Sequence, residues 1–294
     1  MEKLSQCPSC GNPDFNTVLS AKDYTVTHEI FEIVECQSCQ LRFTNPRPKA
    51  NEAGKYYQSE EYISHSNTQK GFINQLYHQV RKITLRQKTN WIEPYKKGNK
   101  KLLDIGCGNG HFLHASKERG WSITGMELDP ETANRASDLL QQAIHPSIEN
   151  IHKDETFDLI SMWHVLEHVY ELEEYFRFFQ QQLSPTGKLL LALPNHLSYD
   201  AEVFQEHWAA YDVPRHIYHF NPKTLEILAH QHGFKLIKSK GQIFDSFYIA
   251  LLSNQYKYGN KKIISSFVIG LLSNIQAYIK TGNYSSNLYI LEHA

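Results

Sequence analysis

No run of apolar residues in this sequence reaches the roughly 20 residues that a membrane-crossing helix needs, and nothing resembling a signal peptide precedes Cys7. The first absence argues against an integral membrane protein; the second leads us to expect a reducing, cytoplasmic setting. A surplus of charge is missing too. The chain has 30 Lys and Arg against 31 Asp and Glu, a net charge of −1, which argues against the broad basic face that captures duplex nucleic acid. No internal repeat or low-complexity tract interrupts the chain, and cysteine is scarce, at five residues. What remains, 294 residues with 41% hydrophobic and 21% charged, suits one large core plus a satellite.

Four of the five cysteines fall in two C-x-x-C pairs, Cys7-Pro-Ser-Cys10 and Cys36-Gln-Ser-Cys39. Four thiolates so spaced make a tetrahedral zinc site with one knuckle per pair, and residues 17–19 and 30–35 alternate like a β-hairpin. We therefore expect a zinc ribbon over residues 1–48. Two disulfides are the alternative, which the fifth cysteine and the absence of a leader disfavour. A closed Cys₄ site leaves no open position to activate water, so Zn²⁺ here is expected to fold the ribbon or to position substrate.

Residues 102–110, Leu-Leu-Asp-Ile-Gly-Cys-Gly-Asn-Gly, read as a strand that ends in an acid and opens into a loop with glycine at every second position. Gly106, Gly108 and Gly110 allow positive φ and a close approach of ligand to backbone, and the next segment, residues 111–119, reads as a helix. In the dinucleotide fingerprint G-x-G-x-x-G the third glycine falls one residue later than it does here. Asp104 would repel a pyrophosphate but attract an ammonium such as the amino-acid end of S-adenosylmethionine. The next strand, residues 121–128, contains Glu127, at the spacing expected of a carboxylate that grips ribose hydroxyls. Through Asp104-Ile-Gly-Cys-Gly-Asn-Gly110 and Gly125-Met-Glu-Leu-Asp129 the chain resembles the class I S-adenosylmethionine-dependent methyltransferases, from about residue 100 to the C-terminus, and with its N-terminal ribbon the UbiG-like group among them. The resemblance implies an α/β, Rossmann-like doubly wound sheet of seven strands over residues 99–294, with S-adenosyl-L-methionine held by Asp104, Gly106, Gly108, Gly110, Glu127, Leu128 and Trp163.

Later segments continue the alternation of strands and helices. Residues 156–162 read as a strand, 172–183 as an acidic helix, Ser184-Pro-Thr-Gly187 as a turn and 188–193 as a strand. The family pattern places residues 287–292 as a final antiparallel strand at the sheet edge. Its acceptor side falls after residue 162, where His164, Glu167 and His168 lie within five positions. His164 and His168 would face one way on a helix, and either can serve as the base that takes the acceptor's proton. His216 and His219, in Trp208-Ala-Ala-Tyr-Asp-Val-Pro-Arg-His216-Ile-Tyr-His-Phe220, are alternatives. That run resembles W-x-x-x-D-x-P-x-H-x-x-x-F, a segment of methyltransferases of polysaccharide, lipid or natural-product assembly. Arg215 either holds an anionic group or braces Asp212 and His216. Some relatives, including ubiquinone-pathway O-methyltransferases, bind a divalent ion through Glu-x-x-Glu-His, for which this chain has His164-x-x-Glu167-His168.

Residues 49–98 are expected to be linker and lid, with a helix over residues 71–91 covering the cofactor and Tyr56, Tyr57 and Tyr62 lining it. Residues 263–275, flanked by Lys257, Lys261, Lys262 and Lys280, are either a helix packed on the sheet or a partner subunit, or an interfacial helix making peripheral membrane contact. The expected acceptor is a small molecule or a glycan- or lipid-linked group, with O-methylation ahead of C-methylation of a sugar nucleotide. RNA or protein methylation through the ribbon and a non-catalytic module are the other classes. Lys22 alone is basic between Cys10 and Cys36, which counts against RNA capture.

Overall fold

The computed structural model describes residues 1–58, 72–96 and 99–294. Near the N-terminus, β1 (Phe15–Lys22) and β2 (Ile30–Cys36) pair antiparallel, Phe15 opposite Cys36 and Lys22 opposite Ile30. Alternation along β2 sends Phe31 and Ile33 inward while Ile30 and Glu32 face water. β3 (Arg42–Thr44) extends this sheet, and Tyr218–His219, which is β8, completes it in the order β1-β2-β3-β8.

The larger sheet contains β4 (Lys101–Ile105), β5 (Ser122–Met126), β6 (Phe157–Trp163), β7 (Leu183–Pro194), β9 (Phe234–Gly241) and β10 (Ser286–His293), in the order β5-β4-β6-β7-β10-β9. β4 to β7 run parallel, and β10 runs antiparallel to both its neighbours. The central strands are apolar on both faces because both are covered. Leu103, Ile105, Met162 and Leu191 pack with Phe176 and Phe179 on one side, while Leu102, Leu159, Leu190 and Ala192 pack with Leu113 and Trp121 on the other.

Two expectations about this sheet need correction. It has six strands among the described residues rather than seven: beyond β5 there is a single parallel bridge, Met126 to His145. Pro146 follows at once and has no N–H to carry a ladder further. The final strand is antiparallel as expected, yet it lies between β7 and β9 and not at the edge, in keeping with its almost wholly buried side chains. The Ser184–Gly187 turn is absorbed into the irregular start of β7, where pairing with β6 shifts register.

Among the described residues eight α-helices follow in chain order: α1 (Phe72–Ile92), α2 (His111–Glu118), α3 (Pro130–Leu140), α4 (Leu172–Gln182), α5 (Tyr199–Phe204), α6 (Pro222–Gln231), α7 (Asp245–Tyr258) and α8 (Ile263–Gln276). Their starts are written locally. The Asp129 carboxylate accepts from Thr132 N at 2.8 Å, and Asn221 and Thr224 form a reciprocal capping box. α8 continues through a π-helical turn, Ala277–Thr281, so the helical rod is longer than residues 263–275. Its 19 residues are long and apolar enough, by length and composition alone, to cross a membrane, which corrects the expectation that no segment is. It packs on α7 instead of on the sheet.

Candidate functional site

β4 delivers Asp104 to the carboxyl end of the sheet, beside the point where β5 and β6 leave β4 in opposite directions and where open α/β sheets bind ligands. The loop beyond it turns through positive φ at all three glycines, 70° at Gly106, 54° at Gly108 and 77° at Gly110. Each glycine has its own reason. A Cβ at Gly106 would collide with Val165, and one at Gly110 would press on Leu140 and Ala136, whereas one at Gly108 would meet open space. Gly108 thus leaves the loop backbone uncovered on that side. Its N–H donates to Glu127 Oε2 at 2.9 Å, while Asp129 N–H donates to Oε1 at 3.0 Å, which aims the carboxylate along the loop.

Asp104 is 2% exposed and accepts one short hydrogen bond from Ser161 Oγ, at 2.6 Å. Burial pushes its carboxyl up to about 7, against the lowering pull of Ser161 and Lys88, and the nearby Glu127 raises it further. Lys88 of α1 extends over this cleft with its ammonium 4.1 Å from the Trp163 ring centre. Burial lowers the Lys88 pKa, opposed by Asp104 and Asp245. Trp91 stacks on Trp163 at 6.4 Å, and the buried Trp163 Nε1 has no hydrogen-bond partner among the described residues. Leu128 stands exposed at the rim.

Past Trp163 the chain departs from the expected helix. His164 adopts φ 58°, and only Leu166–His168 forms a 3₁₀ turn, so His164 and His168 do not share a helical face. His164 lies between Glu167 Oε1, 3.5 Å from Nδ1, and Asp245 Oδ2, 3.3 Å from Nε2. Burial works against its charge, but the two carboxylates win and hold its pKa up at about 9. His168 donates from Nδ1 to the Arg215 carbonyl at 3.0 Å, with the Tyr57 hydroxyl 3.1 Å from the same nitrogen. Burial, then His216, brings its pKa down to about 4. His216 donates from Nδ1 to the Ala210 carbonyl at 2.9 Å, and its Nε2 stands 4.0 Å from Glu167 Oε1. Glu167 is 1% exposed, with no hydrogen bond to either carboxylate oxygen among the described residues. Ligand atoms of Glu167, His168 and His216 all lie within 4.8 Å of one another, close enough to share one metal ion.

Arg215 braces and does not reach into the cleft. Its guanidinium donates to Asp212 at 2.6 and 3.0 Å, to Asp23 at 3.1 Å and to the Tyr56 carbonyl at 2.9 Å. Asp23 follows β1 at the edge of the ribbon sheet, so this pair ties that edge to the loop that carries His216. His219 is held by Thr44 Oγ1 at 3.2 Å, and that hydroxyl also donates to the His216 carbonyl at 3.0 Å. Tyr56 is buried with its hydroxyl on Glu29, whereas Tyr57 reaches His168; Tyr62 lies outside the described residues, as do the side chains of Phe72, Ile73 and Leu76.

The four cysteines expected as ligands form one group, all sulfur atoms within 4.8 Å of one another. Cys7 to Cys39 and Cys10 to Cys36 are each 3.5 Å apart, too far for a disulfide bond of about 2.05 Å and near the ~3.8 Å edge of a zinc tetrahedron with 2.3 Å bonds. Knuckle turns close each pair, Gly11 N–H donating to Cys7 O and Gln40 N–H to Cys36 O.

Sequence reasoning missed Lys88, Ser161, Asp245, Asp23 and Gln242, whose amide nitrogen lies 3.1 Å from His164 Nε2. Ser161 lies on the expected strand, opposite Asp104, where only strand register could have singled it out, and the others reach the site from distant segments with no local motif; the nearest signal was the placement of Lys88 on a helix expected to cover the cofactor.

A glycine loop and two acidic groups at the switch point of a doubly wound sheet define an α/β protein with its cleft where such sheets bind ligands. Residues 74–239 match the methyltransferase-domain family, more than half of the chain, and the protein belongs to that family. Among curated proteins it is similar to the mitochondrial ubiquinone biosynthesis O-methyltransferase of Homo sapiens, 28% identical over 166 residues, covering 50% of this chain and 44% of that one. The corresponding Schizosaccharomyces pombe protein is 31% identical over 102 residues, 32% of this chain and 37% of its own. The chain thus spans less than half the length of these two relatives. Among solved structures, the magnesium protoporphyrin IX methyltransferase of Synechocystis PCC 6803 with bound SAH aligns at TM-score 0.53 and 11% identity, over 81% of this chain and 97% of that one. A SAM-dependent methyltransferase from Archaeoglobus fulgidus aligns at 0.50 and 20% identity, over 75% and 99%. Both share the fold.

Proposed function

We propose that this protein transfers the methyl group of S-adenosylmethionine to a hydroxyl of a small-molecule acceptor. The observation that carries the reading is the pairing of a buried carboxylate, Asp104, with the open backbone cradle at Gly108. Asp104 receives the cofactor's ammonium, Lys88 its carboxylate and Glu127 its ribose hydroxyls, with Trp163 and Leu128 along the adenosine path. Gly106 and Gly110 keep the loop in shape. The curated relatives are named as O-methyltransferases of ubiquinone biosynthesis, which supports an oxygen acceptor of small size.

Methyl transfer from a sulfonium is an in-line displacement, so the protein's task is to align the two partners, exclude water and remove one proton. Cofactor loop and acceptor segment touch, since Gly106 packs against Val165. An acceptor hydroxyl lying over the Glu167, His168 and His216 group loses its proton to His216 Nε2, because the Ala210 carbonyl engages Nδ1. His164, between Asp245 and Glu167, orients the acceptor from the other side.

The same three groups support a metal-assisted version. Two imidazoles whose Nδ1–H groups are committed to carbonyls and an orphaned carboxylate make a donor set suited to Zn²⁺, Fe²⁺ or Mn²⁺. Such an ion, when bound, polarises the acceptor oxygen. The Cys₄ group fits a structural Zn²⁺, and with five free cysteines the protein suits a reducing compartment such as the cytoplasm.

The test is transfer of label from methyl-tritiated S-adenosylmethionine to a panel of phenols and sugar hydroxyls, with RNA and protein in parallel and with a chelator arm. Label in the small-acceptor fraction is expected, and its loss in chelator while native mass spectrometry still finds the Cys₄ zinc in place selects the metal-assisted version. Label confined to RNA or protein would overturn the reading.

A further inference from the structure

α8 is amphipathic the wrong way round for a helix in a soluble core. Its buried face carries Ser266, Gly270 and Ser273, continuing to Ala277, while Ile264, Phe267, Val268, Leu271 and Ile275 point outward. Ile264 is 82% exposed, Phe267 57% and Tyr278, about three turns further, 81%. Only 22% of the apolar window along Ile263–Thr281 is buried, an exposure that costs free energy in water unless something covers it.

The inner face is firmly fixed to the body. Ser273 Oγ donates to the buried Asp200 at 2.7 Å, Asn254 Nδ2 donates to Ser266 Oγ at 2.9 Å, and Gly270 lets the helix approach the Phe247 backbone. A helix tied down along its length lies flat on the protein and cannot turn end-on to cross a bilayer. Charge selects the occupant. From Ser246 to Leu291 the sequence contains no Asp or Glu, while Lys261 and Lys262 directly precede the rod, Lys280 stands at its end and Lys257 lies in the last turn of α7. Antiparallel pairing with a second copy would set lysines against lysines; an anionic surface would neutralise them all.

We propose that the outer face of α8 docks the protein on an anionic lipid bilayer, its large side chains entering the headgroup boundary and its terminal lysines meeting lipid phosphates. Tyr258 and Tyr278 flank the apolar face, as amphipathic rings do at a membrane interface. An open apolar hollow of about 250 Å³, lined by Ile243, Ile275, Tyr278, Ile279 and Tyr284, gives an acyl chain a place beside the helix. The surface is coupled to the acceptor side: Asn274 donates to the Ile243 carbonyl at 2.9 Å, and the adjacent Gln242 amide lies 3.1 Å from His164 Nε2. This docking surface does not rest on the methyl-transfer reading.

The experiment is co-sedimentation of the full chain with vesicles of phosphatidylcholine alone or mixed with phosphatidylglycerol, in low and high salt, with light scattering of the free protein. Binding to the anionic vesicles at least about tenfold above the neutral ones, weakened by salt, is expected. Lys261→Glu/Lys262→Glu should lower it by about fivefold or more per lysine, and Phe267→Glu/Leu271→Glu should abolish it on both lipids. Retained S-adenosylmethionine binding or an unchanged circular dichroism spectrum shows that each variant is folded, and the wild-type lipid comparison decides if one is not. Equal binding to both vesicles, no binding to either, or a dimer that Phe267→Glu/Leu271→Glu dissolves would overturn the proposal.

Discussion

On the proposed reading Asp104 selects the cofactor, because a carboxylate this deeply buried is ionised most readily with a cation beside it. Asp104→Asn keeps the shape and removes the charge, and should weaken S-adenosylmethionine binding by about 1.5–3 kcal/mol, or roughly ten- to a hundredfold, by calorimetry. The pH dependence has a definite sign. Its carboxyl, raised by burial to about 7, is ionised only as pH rises through that value, and a ligand ammonium favours the ionised form. Affinity should therefore climb through about pH 7, with proton release seen as buffer-dependent heat, and decline above about pH 8 as the ligand's amino group loses its charge. Gly108→Val forces a β-branched residue into φ 54° and fills the cradle, so it should cost at least tenfold in affinity. Asp104, the glycines and Glu127 were legible in the sequence because a strand, a tight loop and the next strand fix their relations locally. Lys88 and Asp245 were not: they meet the cleft only after distant helices have packed.

Local signals for elements succeeded where the chain's own periodicity ruled and failed where tertiary contacts did. The alternation of residues 30–35 marked β2, and α6 starts at a cap that Asn221 and Thr224 form between themselves. His164 to His168 contains good helical spacing, but the backbone hydrogen bond from His164 N–H to Ala192 O holds the chain to the sheet and breaks the helix before it begins. The Arg215 clamp is the element on which the acceptor loop hangs. Burial raises the Asp23 pKa, but hydrogen bonds from Thr27 and the Arg215 charge outweigh it and bring the carboxyl down to about 2. A depressed pKa gives stability that is complete above the unfolded value of about 3.9 and is lost as pH falls toward 2. Asp23→Ala leaves the guanidinium with Asp212 and the Tyr56 carbonyl alone and should destabilise the fold by about 1–3 kcal/mol in denaturant titrations, with a flatter acid limb than the wild type.

Across the whole molecule, the two sheets are joined through the segment that carries His216. β8 belongs to the Cys₄ sheet, Thr44 holds the His216 carbonyl, and Cys36, Leu41 and Phe43 lie in the same apolar cluster as Leu103 and Ile105. Native mass spectrometry should find one zinc ion per chain, and its removal by a chelator should lower Tm and slow methyl transfer more than it weakens cofactor binding. A doubly wound sheet and a cysteine ribbon could both be read from spacing. Their union could not, since β3 and β8 are separated by most of the chain and no local pattern announces a pair of two residues.

The central claim, that Asp104 and the Gly108 cradle hold S-adenosylmethionine, is tested most directly by calorimetric titration of the wild type, Asp104→Asn and Gly108→Val with S-adenosylmethionine, S-adenosylhomocysteine and NAD. We predict micromolar binding of the first two ligands to the wild type, none of NAD, and at least tenfold loss in both variants. Binding that Asp104→Asn and Gly108→Val leave unchanged, or a preference for NAD, would contradict it.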